Sequence, residues 1–215
     1  MKIFETLKDL QTSVEKDIPA GDGKRREWLT LQPGESVRVH FRQELAKDGN
    51  GYDEELGLAH IVSVHTSPMD FKKKLACNLG EAQFDFRCWP DEQVAVEKRW
   101  RAKPHLLINV AVENNQEWTN KILDQTFARS HVASTLVEFA SEYGSITEHE
   151  YKITRIGSGL QTTYSVMPID RKPLDQTIKD LELFDLESVY RKISYEEQEE
   201  FFLKIADMPT VASSW

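Results

Sequence analysis

The chain has 215 residues, 40% of them hydrophobic and 10% aromatic, and a formal net charge of -9. That length and apolar content suit one domain, alone or with an appendage. No run approaches the roughly 20 apolar residues of a membrane span, the start MKIFETLKDL has no signal-peptide core, and two cysteines exclude a disulfide framework and point to a reducing, cytoplasmic setting.

Residues 1–23 read as an arm, with Ile3, Phe4, Leu7 and Leu10 at helical spacing before Ile18-Pro-Ala-Gly-Asp-Gly23 breaks the pattern. A domain is expected over 24–169. Trp28-Leu-Thr-Leu31 predicts a strand, Pro33-Gly34 a turn, and Ser36 to Arg42 a second strand. In that second strand Val37, Val39 and Phe41 share one face while Arg38, His40 and Arg42 share the other. Residues 46–57 read as a loop and His60 to His65 as a strand. Residues 66–104 are irregular, aromatic and basic, and hold both cysteines. His105 to Val112 predicts a strong strand and 113–117 a turn. Ser130 to Tyr143 switches to helical spacing, with Val132, Leu136, Val137, Phe139 and Ala140 as its stripe and Gly144 as its stop. Tyr151 to Ile156 and Thr162 to Met167 flank Gly157-Ser-Gly159 as a hairpin.

After Pro168 the chain reads as an acidic, helical tail over 170–215. Leu174 to Leu183 and Leu186 to Ile193 look helical, and Ser194 with Glu197 forms a capping box that opens a helix to about Ala206. Five or six short strands, with one helix before the final hairpin, predict a mainly β fold: a small barrel with appended helices.

There is no Walker phosphate loop, no GxGxxG after a strand, no GxSxG and no HExxH, so the reading is non-enzymatic. A bulk charge of -9 opposes nucleic acid, but its distribution matters. From Asp170 onward there are 11 acidic and 6 basic residues, against 25 and 21 before it. Basic residues cluster at Lys24 to Arg26, at Lys72 to Lys74, and at Lys98, Arg99, Arg101 and Lys103. Phe86-Arg-Cys-Trp89 and Lys98-Arg-Trp-Arg-Ala-Lys103 interleave aromatic rings with cations. That is how single strands are held, rings on bases and cations on phosphates. The alternative makes Trp89 and Trp100 core residues with charged neighbours in solvent. His65, Cys77 and Cys88 share the irregular segment, and Cys88-Trp-Pro-Asp91 has zinc-knuckle spacing. A fourth ligand would come from Asp91, His60 or His105; two free buried cysteines are the alternative.

Three segments carry a family resemblance. Trp28-Leu-Thr-Leu-Gln-Pro-Gly-Glu-Ser-Val-Arg-Val39, His105-Leu-Leu-Ile-Asn-Val110, and the stretch Tyr143-Gly-Ser-Ile-Thr147, Tyr151 to Gly159 and Thr162 to Pro168 resemble, in order and spacing, phage-encoded single-stranded DNA-binding proteins. The resemblance implies an oligonucleotide-binding (OB) fold, a five-stranded barrel, and a role in coating exposed strands during phage DNA replication and recombination. It implies zinc held by a histidine and three cysteines. His65, Cys77 and Cys88 match that layout, and Asp91 stands where the last cysteine would be. It also implies an acidic C-terminal tail that recruits replication or recombination proteins and competes with DNA; Asp207-Met-Pro and Val211 to Trp215 would be the docking peptide. The expected groove has Arg38, Arg42, Lys72, Lys73, Lys74, Arg87, Lys98, Arg99, Arg101, Lys103 and Arg155 on phosphates. Phe86, Trp89, Trp100 and Tyr164 would stack on bases, with Trp28 as a lesser addition. The rival expectation is a non-enzymatic phage protein that binds a host protein through its acidic surface.

Overall fold

The computed structural model describes residues 27–115, 117–127 and 131–204. The expected N-terminal arm, the cluster Lys24 to Arg26 and the segment after Lys204 lie outside them.

Seven antiparallel strands form one sheet. They are β1 (Ser36–Phe41), β2 (His60–Thr66), β3 (Lys74–Ala76), β4 (Lys103–Asn114), β5 (Glu117–Thr126), β6 (His149–Ile156) and β7 (Thr163–Arg171). Their order is β3-β2-β4-β1-β6-β7, with β5 also paired to β4. β5 runs along one edge of β4, while β2 and β1 share the other, at Lys103 to Leu107 and Val110 to Val112 respectively. The expectation of a five-stranded barrel is corrected to this seven-stranded sheet, in which no ladder joins β5 to β7 among the described residues.

β4 is apolar on both sides because both sides are covered. Leu106, Ile108, Val110 and Val112 point one way. There they meet Val39, Phe41, Tyr151 and Ile153 and the stripe Val132, Ala133 and Leu136 of helix α2 (His131–Tyr143). Gly144 ends that helix at φ 74°, as expected of a glycine stop. On the opposite face Leu107 joins Val64, Ala76 and Ile122 under Leu186, Val189 and Tyr190 of the C-terminal segment. A third cluster holds Leu75, Trp89, Trp100 and Phe202.

The loops are pinned by one buried carboxylate. Glu44 accepts from the Ser145 hydroxyl, from the Thr147 hydroxyl at 2.7 Å, and from the amides of Ile146 and Thr147 at 3.2 and 3.1 Å. A buried anion is tolerated only with such a set of donors. Gly51 abuts the same cluster; a Cβ there would lie 2.1 Å from the Thr147 hydroxyl.

Two expectations on the elements are revised. Trp28 to Leu31 contributes only an isolated bridge, Trp28 to Ile122. The segment 170–204 is no loose tail: Ile178, Leu186, Val189, Tyr190 and Phe202 are buried in it. Its helices shrink to α3 (Gln176–Lys179) and α4 (Tyr195–Leu203), the latter opened by the expected Ser194–Glu197 capping box. The short helix α1 (Trp89–Gln93) precedes β4. No helix among the described residues is long and apolar enough to cross a membrane.

Candidate functional site

His65 lies on β2, Cys77 directly follows β3, and Cys88 is the N-cap of α1, with Pro90 in the first turn behind it. These three elements bring one imidazole nitrogen and two sulfurs within 4.8 Å of one another. The Cys88 sulfur is 3.3 Å from His65 Nε2 and 3.8 Å from the Cys77 sulfur. On the other side of the ring, His65 Nδ1 sits 2.6 Å from the Trp100 carbonyl. A carbonyl only accepts, so Nδ1 carries the proton and Nε2 turns its lone pair toward the cysteines. The contact between the two sulfurs holds Cys77 well below the ordinary thiol range and pushes Cys88 upward.

This donor set fits zinc: borderline-soft ligands, a backbone-fixed histidine tautomer, and one sulfur already biased to thiolate. Asp91 is not part of the cluster; its main-chain N–H donates to the Cys88 carbonyl at 3.2 Å. His105 is engaged by Asp124 at 2.6 Å, and His60 pairs with Leu107 farther down β2. The protein therefore offers three donors among the described residues.

The two basic runs meet at one end of β2. Val64 pairs with Ala76 on one side and Lys103 on the other, and Thr66 pairs with Lys74. The Lys72 to Lys74 run and the Lys98 to Lys103 run thus flank the same strand end, tied together by the His65–Trp100 bond. Lys72, Lys98, Arg101 and Lys103 are exposed and make no ion pair among the described residues. Arg99 is exposed and pairs with Glu97 at 3.0 Å.

Other expected contacts are drawn elsewhere. Trp89 and Trp100 are 7% and 6% exposed, edge to face at 5.3 Å and packed on Phe202, so neither offers a stacking face. Their backbone neighbours explain this: Cys88 and the Trp100 carbonyl are pulled inward by His65. Arg42 is wholly buried and donates to the carbonyls of Lys179, Leu181 and Glu182 at 3.1, 2.7 and 3.5 Å. Burial lowers it to about 10, which still leaves it charged at neutral pH. Arg155 donates to the Leu31 carbonyl at 2.5 Å. Lys73 donates to the carbonyls of Phe202 and Lys204, and Lys74 lies over the Tyr190 ring. Arg38 is ion-paired to Glu150 on β6. Arg87 stacks on Tyr195 at 3.7 Å. Tyr164 is half-buried against the core beneath α2. Phe86 is 59% exposed and Trp28 is also open to solvent, but no register places either beside the two basic runs.

No family model, curated protein or solved structure matches the chain.

The sequence offers no signal that separates Phe71 and Met69 from buried residues of the same type, yet both stand in solvent on the β2–β3 loop. The expected cationic face of β1 is real in its alternation. Its Arg42 end is roofed by the C-terminal segment, however, which a periodicity argument cannot detect.

Proposed function

We propose that this chain is a single-stranded DNA-binding protein that coats exposed strands, with little sequence preference, during phage DNA replication and recombination. The observation that carries the reading is the meeting of two basic runs, distant in sequence, at one end of β2, with four exposed cations that make no ion pair among the described residues. Surface cations are ordinarily interleaved with acids. A set left unpaired on a chain of charge -9 suits a polyanion.

The strand order gives secondary support. Setting β2 and β3 aside, β5-β4-β1-β6-β7 with α2 inserted between β5 and β6 follows an oligonucleotide-binding topology, for which a partly open sheet is ordinary. Lys72, Lys98, Arg99, Arg101 and Lys103 would neutralise phosphates. His65, Cys77 and Cys88 would hold zinc, which supplies a structural cross-link between β2, β3 and α1 beneath that surface. The C-terminal segment would not compete with DNA as a free acidic tail. Ten of its eleven acidic residues lie at or before Glu200, in the part packed on the sheet.

The test is fluorescence anisotropy of labelled oligo(dT) with the full chain. Wild-type protein should bind, and Lys98→Ala/Arg101→Ala/Lys103→Ala should weaken binding at least about tenfold, since each lost phosphate contact costs counterion release. Absence of binding by folded wild-type protein would favour the rival, a protein-binding phage product with an acidic surface.

A further inference from the structure

We propose that Phe71, at the tip of the β2–β3 loop, is a base-stacking residue, with Lys72 beside it on the phosphate chain. The inference rests on the single-strand-binding reading above and adds to it a stacking residue that the expected groove does not include.

Phe71 is 73% exposed and Met69 66% exposed, on a loop whose backbone is held by five hydrogen bonds. The Ser67 hydroxyl accepts from the amides of Met69 and Asp70, both at 3.2 Å. Asp70 turns its carboxylate back to the Lys72 amide at 3.0 Å, and its carbonyl accepts from Lys73 at 3.0 Å. The Ser67 amide closes the loop on the Lys73 carbonyl at 3.0 Å. The run Phe71-Lys-Lys-Lys74 is then split by direction. Lys73 reaches in to the end of α4 and Lys74 to the Tyr190 ring, which leaves Phe71 and Lys72 facing out. A hydrogen-bonded loop backbone lowers the ordering cost of presenting a ring to a ligand.

The chemistry around the ring selects the occupant. A protein partner docking on an apolar anchor needs more apolar surface around it. Here the surroundings beyond Met69 are polar and charged: Asp70 turns its carboxylate to the Lys72 amide, Lys72 faces out on the same loop, and the basic run that ends in Lys103 lies across the end of β2. A flat apolar face joined to a negative chain satisfies both features, and an unpaired nucleotide is such a ligand.

Three proteins are compared by anisotropy on two labelled strands of equal length, oligo(dT) and an abasic deoxyribose-phosphate strand: the wild-type chain, Phe71→Ala and Phe71→Tyr. Phe71→Ala should bind oligo(dT) about 5- to 150-fold more weakly, while Phe71→Tyr keeps wild-type affinity. On the abasic strand Phe71→Ala should match wild type, because no base is present to lose. Undiminished binding of Phe71→Ala to oligo(dT), or equal losses on both strands, would overturn the stacking role and leave the broader reading standing. Failure of the wild-type chain to bind either strand would remove both. The side chain stands in solvent, so thermal melting of Phe71→Ala should coincide with wild type.

Discussion

His40 is fully buried on β1, and neither ring nitrogen has a hydrogen-bond partner. It packs edge to face on Trp118 at 5.3 Å, with Glu150 at 3.9 Å and the charges of Lys172, Asp175 and Arg38 nearby. Burial lowers it to about 4, because the cost of desolvating an imidazolium exceeds the attraction of Glu150. The unfolded chain therefore binds a proton near pH 6.5 that the folded one refuses. Stability from this group is present above that pH and is lost as pH falls toward 4. Between pH 7 and pH 4.5 the loss from His40 alone should be on the order of 2 kcal/mol. Urea denaturation at the two pH values measures it: His40→Phe should lose less stability than wild type by that amount, and parallel losses in the two proteins would refute the assignment. Arg38, His40 and Arg42 also mark what alternation can and cannot tell. It places them on one face, and the structure agrees. It cannot tell that Arg42 will spend its donors on the carbonyls of Lys179 to Glu182, or that Arg38 will meet Glu150, because those partners lie more than a hundred residues away.

At the scale of elements, the lobe between β3 and β4 is the part of the sheet domain with the shortest regular structure. Its regular structure is the five-residue α1 and two three-residue 3-10 turns, Ala82–Phe84 and Lys98–Trp100. Such short pieces do not persist without tertiary ties. Its ties include the cluster of Leu75, Trp89, Trp100 and Phe202, the donors His65, Cys77 and Cys88, and polar contacts to the C-terminal segment such as the Trp89 amide to Gln198 and Asn78 to the Ile193 carbonyl. The purified chain should therefore carry one zinc per molecule by elemental analysis, and Cys88→Ser should lose it. Chelation should lower the melting temperature and shift tryptophan emission to the red as Trp89 and Trp100 become wet. A metal-free wild-type protein whose melting ignores added zinc would rule the centre out. The cysteine and histidine spacing made this lobe legible in the sequence, and helical spacing did the same for α2. β5 stayed hidden because each of its faces mixes classes: Asn120 and Asp124 look solvent-facing, yet Asn120 bonds Asn109 at 2.8 Å and Asp124 bonds His105 at 2.6 Å. The C-terminal segment misleads in the opposite sense. Its leucine spacing suits a helix, but Phe184 gives its amide and carbonyl to the Asn109 side chain, at 2.9 and 3.1 Å, so neither can serve a helical turn.

For the whole molecule, the question is how a chain of charge -9 would hold a polyanion. Rather less than half of the net negative charge, 10 acidic against 6 basic residues, is on the segment 170–204 that packs across the sheet, away from the cations at the end of β2. Exposed charges farther away than about 8–10 Å are screened at physiological salt, so contact cations dominate binding while net charge acts mainly at low salt. Five cations stand at that end: Lys72, Lys98, Arg99, Arg101 and Lys103. At about 0.7 counterions released per contact on a single strand, log affinity should fall with log salt at a slope no steeper than about -3.5, or roughly a hundredfold between 50 and 200 mM. Repulsion from the acidic bulk acts the other way, since salt relieves it, so the measured slope should flatten at the lowest salt. Replacing Lys103 by alanine should reduce the slope by about 0.7 without altering the relative affinities for oligo(dT) and oligo(dA), because a phosphate contact reads no base. A slope near zero would mean that binding, if present, is not made by these cations. A slope much steeper than that bound would place further cations in contact, and Lys24, Arg25 and Arg26, on the segment that precedes Trp28, would be the next to replace.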